Sequence, residues 1–481
     1  MQPILKINLS KQSFENYEIP AEWQRDYLGA ASLAARILYD SLTAELDPLS
    51  ADAPLLILTG PLTGTFGPAT GRFVVTGKSP ATRLWAESNV GGGWGVELRK
   101  CGYDGIWVTG KSDSPFYLSL NGSKPELRAA AHLWEQDTYE IQKSIKAESG
   151  SKSTKVFGIG IAGENQIPFA GIFCDHGRAA GRTGLGAVMG AKNLKAIAVQ
   201  GRGEIPLAKP DEYKKLRMAA NRALKDDALT SVMSDLGSAG AAEYLDYLGE
   251  MPKKYFSAGT LEGSEKVSGS SVAETILVGK KACHGCVIAC GRVVDLGDGE
   301  KRKGPEYETL VGFGPNLLID DLPFIARMGE LCDRYGMDTI SLSGTLGLAF
   351  TLFEQGIITT ADTGGLELNW GDRQVVETLV HQTARRAGFG AALAEGSRAL
   401  GRRFGAEDQA VQVNGLELAY HDPRGAVHRV LVAVDSVVAK PQRQPRTVRV
   451  LGVCQVAQST LYRAVDPPLQ RWGKVATPGS V

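Results

Sequence analysis

The texture of the chain changes near residue 205, and no other feature constrains its fold as strongly. Before that point, short β-like runs at 4–9, 55–58, 73–76, 106–109, 116–120 and 196–200 are separated by glycine, proline and serine. This is the pattern of a strand-rich unit, interrupted by helical patterns at 22–42 and after Gly184. From Pro210 onward the apolar residues recur every three to four positions, over 211–225, 322–334, 339–354, 375–387 and 391–404. That period predicts amphipathic helices. The expected class is α+β, with a strand-rich domain over 1–205 and a helical domain over 206–412. A third segment, 413–481, loses its regular texture after Ala426. With 481 residues the chain is too long for one ordinary core, which fits a three-part division.

Charge narrows the function classes. Lysine plus arginine equal aspartate plus glutamate at 53 each, so no electrostatic push toward nucleic acid or anionic membrane exists. The first residues carry no basic start followed by an apolar run, and no stretch is long enough to span a bilayer. The expected location is the cytoplasm.

Two sets of residues carry chemistry. The sharper one is Cys283-His-Gly-Cys286-Val-Ile-Ala-Cys290. Gaps of two and three residues let one loop wrap three corners of an iron–sulfur cubane. Zinc is the nearer alternative, although zinc loops usually come as two separated pairs. The second set is glycine-rich: Gly67-Pro-Ala-Thr-Gly71-Arg72, Ser88-Asn89-Val-Gly91-Gly-Gly93, and Gly177-Arg178-Ala179-Ala-Gly181-Arg182-Thr-Gly184-Leu-Gly186. Glycine lets backbone amides approach phosphate oxygens, and arginine adds two-pronged recognition. No Gly-Lys-Ser/Thr closes a P-loop, and no strand–helix unit with a ribose-binding acid follows Gly184. Each loop taken singly could be a tight turn. Three in one domain, two of them with arginine, exceed what turns need.

Many of these segments, in this order, resemble the tungsten-containing aldehyde:ferredoxin oxidoreductase family. They include Thr59-Gly-Pro-Leu-Thr-Gly64, Lys78-Ser-Pro80, Gly102-Tyr-Asp-Gly105, Gly163-Glu-Asn165, His176-Gly-Arg178 and Lys192-Asn-Leu-Lys195. Gly304-Pro-Glu306-Tyr-Glu308 and Asp333-Arg-Tyr-Gly336-Met337-Asp338 follow the cysteine run. The resemblance covers residues 1 to about 426. It implies a β-sheet base domain that carries a bis-pterin tungsten (or molybdenum) cofactor, covered by helical domains. By that resemblance Arg72, Asn89, Gly91, Arg178, Ala179, Gly181 and Arg182 contact the pterins and their phosphates. Asp333, Met337 and Asp338 hold a pterin edge, Cys283, Cys286 and Cys290 bind a [4Fe-4S] cluster, and Glu308 is the catalytic acid–base group. Plainer readings stand beside these: helix capping for Asp333 and Asp338, and a helix-start carboxylate for Glu308.

The implied activity is oxidation of a small aldehyde to a carboxylic acid, with electrons leaving through the cluster to a ferredoxin-like carrier. The alternatives are the metal-bearing subunit of an aromatic-ring (benzoyl-CoA type) reductase, and an inactive remnant. A homodimer or partner subunits would fit the family. Arg327 and Glu330 stand where some members carry an interface-iron Glu-x-x-His, so that iron is not expected. After His421-Asp-Pro-Arg-Gly-Ala426 the family's glycine-rich stretch, histidine, second pterin motif and fourth cluster cysteine do not continue. Gly452-Val-Cys454 echoes that motif faintly, with Arg449 in the place of its aspartate. The expectation is therefore a truncation or reading-frame shift near 426, leaving only a remnant of the third domain. His421 and His428 read as surface or turn residues, and Cys101, Cys174 and Cys332 as buried small ones.

Overall fold

The first two hundred residues build two six-stranded sheets. The structure, a computed structural model, describes residues 1–259, 261–422 and 424. His428, Arg449 and Cys454 lie outside the described residues. The first sheet runs, edge to edge, Ser13–Tyr17, Ile4–Asn8, Gly105–Thr109, Leu55–Thr59, Phe73–Lys78, Trp85–Val90. The second runs Arg178–Ala180, Ile172–Cys174, Lys155–Gly158, Leu194–Gln200, Phe116–Asn121, Lys124–Ala129. Each holds one parallel pair, Ile4–Asn8 with Gly105–Thr109 and Leu194–Gln200 with Phe116–Asn121.

Side-chain alternation explains the layering. In a strand, successive side chains point to opposite faces. Leu55, Ile57, Phe73 and Val75 of the first sheet share one apolar cluster with Leu118, Leu120, Phe157, Ile197 and Val199 of the second. The intervening Leu56, Leu58 and Val74 face the other way, onto Leu33, Ala34, Ile37 and Leu38 of the helix Ala30–Leu38. Likewise Tyr117, Val156, Ala196 and Ala198 pack on Ile141 and Ile145 of the helix Thr138–Glu148. Both faces of each sheet are covered, so central runs such as Leu55-Leu-Ile-Leu-Thr59 read as continuously apolar.

The second half is mainly helical. Tyr307–Phe313, Leu322–Tyr335, Thr339–Glu354 and Arg373–Ala384 surround a large core that includes Phe313, Ile325, Leu346, Phe350 and Leu379. Thr339–Glu354 is buried on nearly every side, which is why its sequence is apolar all round. Phe169, Ala170 and Ala187 from the sheet half belong to this same core.

All six expected strands are present. The helical pattern at 22–42 proves to be two helices, Ala21–Tyr27 and Ala30–Leu38, broken at Gly29 with φ +137°. The one at 391–404 is likewise split into Gly390–Leu393 and Ser397–Arg403. A three-stranded antiparallel sheet, Leu277–Lys281, Gly291–Val294 and Arg302–Lys303, interrupts the helical half. Periodicity missed it because its strands are short and the outer two are half exposed. Among the described residues no helix is long and apolar enough to cross a membrane.

Candidate functional site

The small sheet is the scaffold of the site. Its first two strands pair Lys281 with Gly291, so the cysteine run, 283–290, is the connection of a hairpin. Its third strand carries Lys303 and leads through Gly304-Pro305-Glu306 into the helix Tyr307–Phe313. Lysine, cysteines and the acidic helix start are thus delivered by one short element.

The cysteine hairpin lies on the glycine loops of the sheet half. The His284 N–H donates to Gly92 O at 3.3 Å, and the His284 ring packs on Phe66 with centroids 4.4 Å apart. A β-carbon added at Gly91 would lie 2.5 Å from Cys283 Sγ, so only glycine permits this approach. Beside it, Arg72 Nε donates to Asn89 Oδ1 and Arg72 Nη2 to Asn89 O at 3.3 Å. The pairing of Phe73–Lys78 with Trp85–Val90 sets these two residues side by side. Two expected groups, one from each half of the chain, therefore meet at Gly91.

A sharp hairpin supplies the third element. Cys174 pairs with Arg178, and the three residues between them all have positive φ: Asp175 47°, His176 52° and Gly177 94°. Such backbone is costly for non-glycine residues and persists only where surroundings hold it. Here the Asp175 carboxylate accepts the Gly93 N–H at 2.7 Å and the Lys155 ammonium at 2.8 Å. Burial pushes its pKa up, but Lys155, the Gly93 amide and Lys281 outweigh that and hold it below the usual carboxylate value. Lys281 Nζ donates back to Asp175 O, and Arg178 Nη2 donates to Lys281 O at 3.1 Å. The Arg178 guanidinium lies within electrostatic reach of Cys283, Glu306 and Cys290. Burial pushes the Cys290 thiol up to about 11, with Glu306 adding to the shift. Cys283, Cys286 and Cys290 are all half-buried. Among the described residues, no three His, Cys, Asp or Glu side chains are drawn together closely enough to hold a metal ion.

The strand Arg178–Ala180 and its flanks then reach both aspartates. Arg182 Nε sits 3.2 Å from Asp338 Oδ2, and Arg182 Nη2 donates to Glu417 O. Ala179 and Gly181, between these arginines, are partly exposed. Asp338 is also the N-cap of Thr339–Glu354, accepting from the Ile340 and Ser341 amides at 3.2 Å and from Ser341 Oγ at 2.7 Å. The capping reading holds for Asp338. It does not hold for Asp333, which lies inside Leu322–Tyr335 and points its carboxylate at Lys303 Nζ, 3.1 Å away. Burial raises the Asp333 pKa against the pull of Lys303. Met337 is buried and bridges Ala170, while Gly336 O and Phe169 O accept from the Gly171 and Asp338 amides. These backbone bonds stitch the aspartate loop to the sheet half. The back of the third glycine loop serves packing instead: a β-carbon at Gly186 would lie 2.3 Å from Gly171 O.

Glu308 sits one turn into Tyr307–Phe313. Its Oε2 accepts the Tyr420 N–H at 2.9 Å and its Oε1 lies 3.5 Å from His421 Nε2. The His421 ring also packs on Tyr307 at 5.3 Å. The His421 side chain is only 19% exposed, so it is no surface residue. No local pattern signals this pair, because its partners are over a hundred positions apart. Cys101, Cys174 and Cys332 are buried, as expected. The sequence reading missed Asp175, Lys281, Lys303 and Glu306 as site residues. Glu306 alone carried a signal, its place in the Gly304-Pro-Glu306 segment.

With this geometry in place, the likeness to known proteins is specific. The model for the aldehyde ferredoxin oxidoreductase N-terminal domain matches residues 4–201, and that for domains 2 and 3 matches 215–436. The second match runs past Ala426, where the resemblance in the sequence breaks. The chain is 39% identical over 424 residues to the tungsten-containing aldehyde ferredoxin oxidoreductase of Pyrococcus furiosus, covering 88% of this chain and 70% of that protein. It is 30% identical to a P. furiosus aliphatic sulfonate oxidoreductase, WOR-like subunit, covering 82% and 66%. In three dimensions it resembles the active-site complex BamBC of benzoyl coenzyme A reductase, with a TM-score of 0.79 at 29% identity, over 87% of this chain and 66% of that one. The chain thus spans about two thirds of the length of the proteins it matches.

Proposed function

Because the chain belongs to the aldehyde ferredoxin oxidoreductase family, we propose that it binds a tungsten–pterin cofactor and a [4Fe-4S] cluster and serves the oxidation of a small aldehyde to its acid. One observation carries the reading: residues from three distant segments meet around the strand Arg178–Ala180 and its flank Arg182. They are Arg72–Asn89–Gly91, Asp333 and the cysteine hairpin. The donor set fits these groups. Arginines and a glycine-lined surface suit pterin phosphates, and three thiolates on one loop suit a cubane.

When bound, the tungsten–pterin group and the cluster supply two-electron oxidation and single-electron exit to a ferredoxin-like carrier. The protein's own residues do the rest. Arg72, Arg178 and Arg182 bind and orient the anionic parts, and Asp333 accepts from the pterin edge. Asp338 fixes the Arg182 side chain. Glu308, with His421 beside it, holds and moves the proton released as water adds to the aldehyde carbon.

Anaerobic purification with tungstate supplied tests this. Tungsten, pterin and iron should co-purify with the chain, and an aldehyde should reduce a viologen dye in their presence. Absence of pterin and iron would overturn the reading. Replacing Cys286 with serine should lower the iron content. A second reading, the metal-bearing subunit of an aromatic-ring reductase, is favoured by the likeness to BamBC. In that case pterin and iron bind, yet aldehydes reduce no dye.

A further inference from the structure

Arg292 follows Cys290 by two residues and is only 2% exposed. It lies on the strand Gly291–Val294 and pairs across the hairpin with Lys280. Both side chains meet the end of the helix Ala228–Leu236. Lys280 Nζ lies 2.7 Å from the Asp235 carboxylate, whereas Arg292 Nη1 donates to Asp235 O at 2.6 Å. Arg292 Nη2 donates at 2.8 Å to the carbonyl of Ala289, the residue before Cys290. Its Nε is buried with no hydrogen-bond partner among the described residues. Gly237, with φ +68°, lets the turn after the helix close on this group. A β-carbon there would lie 2.9 Å from Cys290 O and 3.2 Å from Arg292 Nε. The guanidinium is thus locked against the backbone of the cysteine run.

A buried charge is costly unless an opposite charge offsets it. Both hydrogen bonds that this guanidinium makes among the described residues go to neutral carbonyls. The anions within its electrostatic reach are Glu306, Cys290 and Asp235. The Asp235 carboxylate is spent on Lys280. Glu306 is shared with Arg178, which also reaches Cys283 and Cys290. Two guanidiniums therefore act on Cys290 with one carboxylate to offset them, and a surplus positive charge is left within reach of the thiols. Capping the helix end accounts for one bond of Arg292, not for that surplus.

We propose that Arg292 is a positioning residue for the iron–sulfur cluster, pinning the Ala289–Cys290 backbone and holding up the cluster's reduction potential with its charge. The proposal rests on the cluster reading above. A cubane on thiolates is an anion, and its one-electron reduction adds a negative charge without making or breaking a bond. A fixed cation in a dry place stabilises the reduced form more than the oxidised one, so the potential rises. Arg292 ligates no iron and touches no reacting atom.

The test is a redox titration of the cluster-loaded chain with dithionite, followed by electron paramagnetic resonance. Arg292→Gln removes the charge and keeps an amide donor, whereas Arg292→Lys keeps the charge and loses the planar fork. In Arg292→Gln the midpoint should fall by about 59 mV, a tenfold shift toward the oxidised cluster. In Arg292→Lys it should stay nearer to the wild type than to Arg292→Gln. Loss of iron from Arg292→Gln alone would also support the proposal, because charge and not shape then holds the cluster. A wild-type midpoint in Arg292→Gln would overturn it. So would loss of iron from both variants, or an equal shift in both, either of which would mark a role in architecture alone. If the wild type holds iron and Arg292→Gln leaves the midpoint unmoved, the cluster reading stands and the Arg292 proposal falls. If the wild type holds no iron, both fall.

Discussion

The cations of the sheet half and those of the site sit in the same stretch of signature segments, yet they are used in opposite ways. Lys78 gives its ammonium to Thr43 O, Ala44 O and Leu46 O at 2.7–2.8 Å. Lys192 binds Ser50 O, Ala51 O and Gly110 O, and Lys195 pairs with Glu164 while donating to Gln136 O. Arg99 meets Asp104 at 2.9 Å and also binds Pro61 O and Thr63 O. These groups are buried and saturated by their own chain, so nothing is left for a ligand. Around the strand Arg178–Ala180 the donors are thinly occupied. Among the described residues the Arg178 guanidinium makes one hydrogen bond, to Lys281 O, and the Arg72 guanidinium bonds Asn89 alone. Saturation marks architecture, and spare donor capacity beside glycine marks a ligand surface.

The largest test of that division is Lys195→Met. It would strand the Glu164 carboxylate, 3% exposed, without its cation. Breaking a buried pair by removing one partner costs about 3–5 kcal/mol, to be read by urea unfolding. Iron and pterin per folded chain should not change. Loss of cofactor without loss of stability would break the comparison.

Lys192 offers a pH version. Burial lowers its pKa to about 8, against an ordinary value near ~10.4. The unfolded chain therefore binds more protons between these values, and stability rises with pH across that window. The penalty is full below about pH 8 and gone above ~10.4, an effect of at most about 3 kcal/mol. Lys192→Met should remove this slope. An unchanged slope would place the titration elsewhere.

A smaller effect on stability, with a large one on the cluster, is expected for Gly91→Ala. The added methyl falls 2.5 Å from Cys283 Sγ, so the hairpin must shift. Overpacking of this kind costs about 1–3 kcal/mol. Iron content should fall several-fold, measured by chelation assay. Retained iron at full occupancy would show that the hairpin approaches the sheet half differently when loaded.

How much of this was legible in the sequence depends on range. The apolar runs 55–58 and 196–200 announced strands because both of their faces are buried. The helix at 339–354 showed in the three- to four-residue recurrence of its apolar residues, although burial on nearly every side blurs that period. The cysteine spacing and the arginine-bearing glycine loops located the site. The strands at 277–281 and 302–303 were not legible, being short, polar and half exposed, although they carry the cysteine hairpin and Lys303. Nor was the Glu308–His421 pair, or the meeting of Gly177 and Asp333. Each is set by tertiary contact between segments far apart, which no local pattern encodes. The division between Lys192 and Arg178 was hidden for the same reason: the sequence shows a cation but not its acceptors.

Asp338 lies on the border between the two populations, and it yields the finest prediction. Its carboxylate is occupied by two amides, a hydroxyl and Arg182, which is how an architectural group looks. The Asp333 carboxylate, among the described side chains, bonds Lys303 alone. Asparagine caps a helix about as well as aspartate, and the Ser341 hydroxyl can still bond to it. Arg182 would keep Glu417 O as a partner and lose only a part-buried charge contact. Asp338→Asn should therefore cost about 1 kcal/mol or less, by chemical denaturation. It should also release pterin more slowly than Asp333→Asn does. If instead Asp338→Asn empties the chain of pterin while Asp333→Asn leaves it loaded, saturation by the protein's own groups is no guide to architecture here. The capping contacts seen at Asp338 would then be ones that the cofactor displaces.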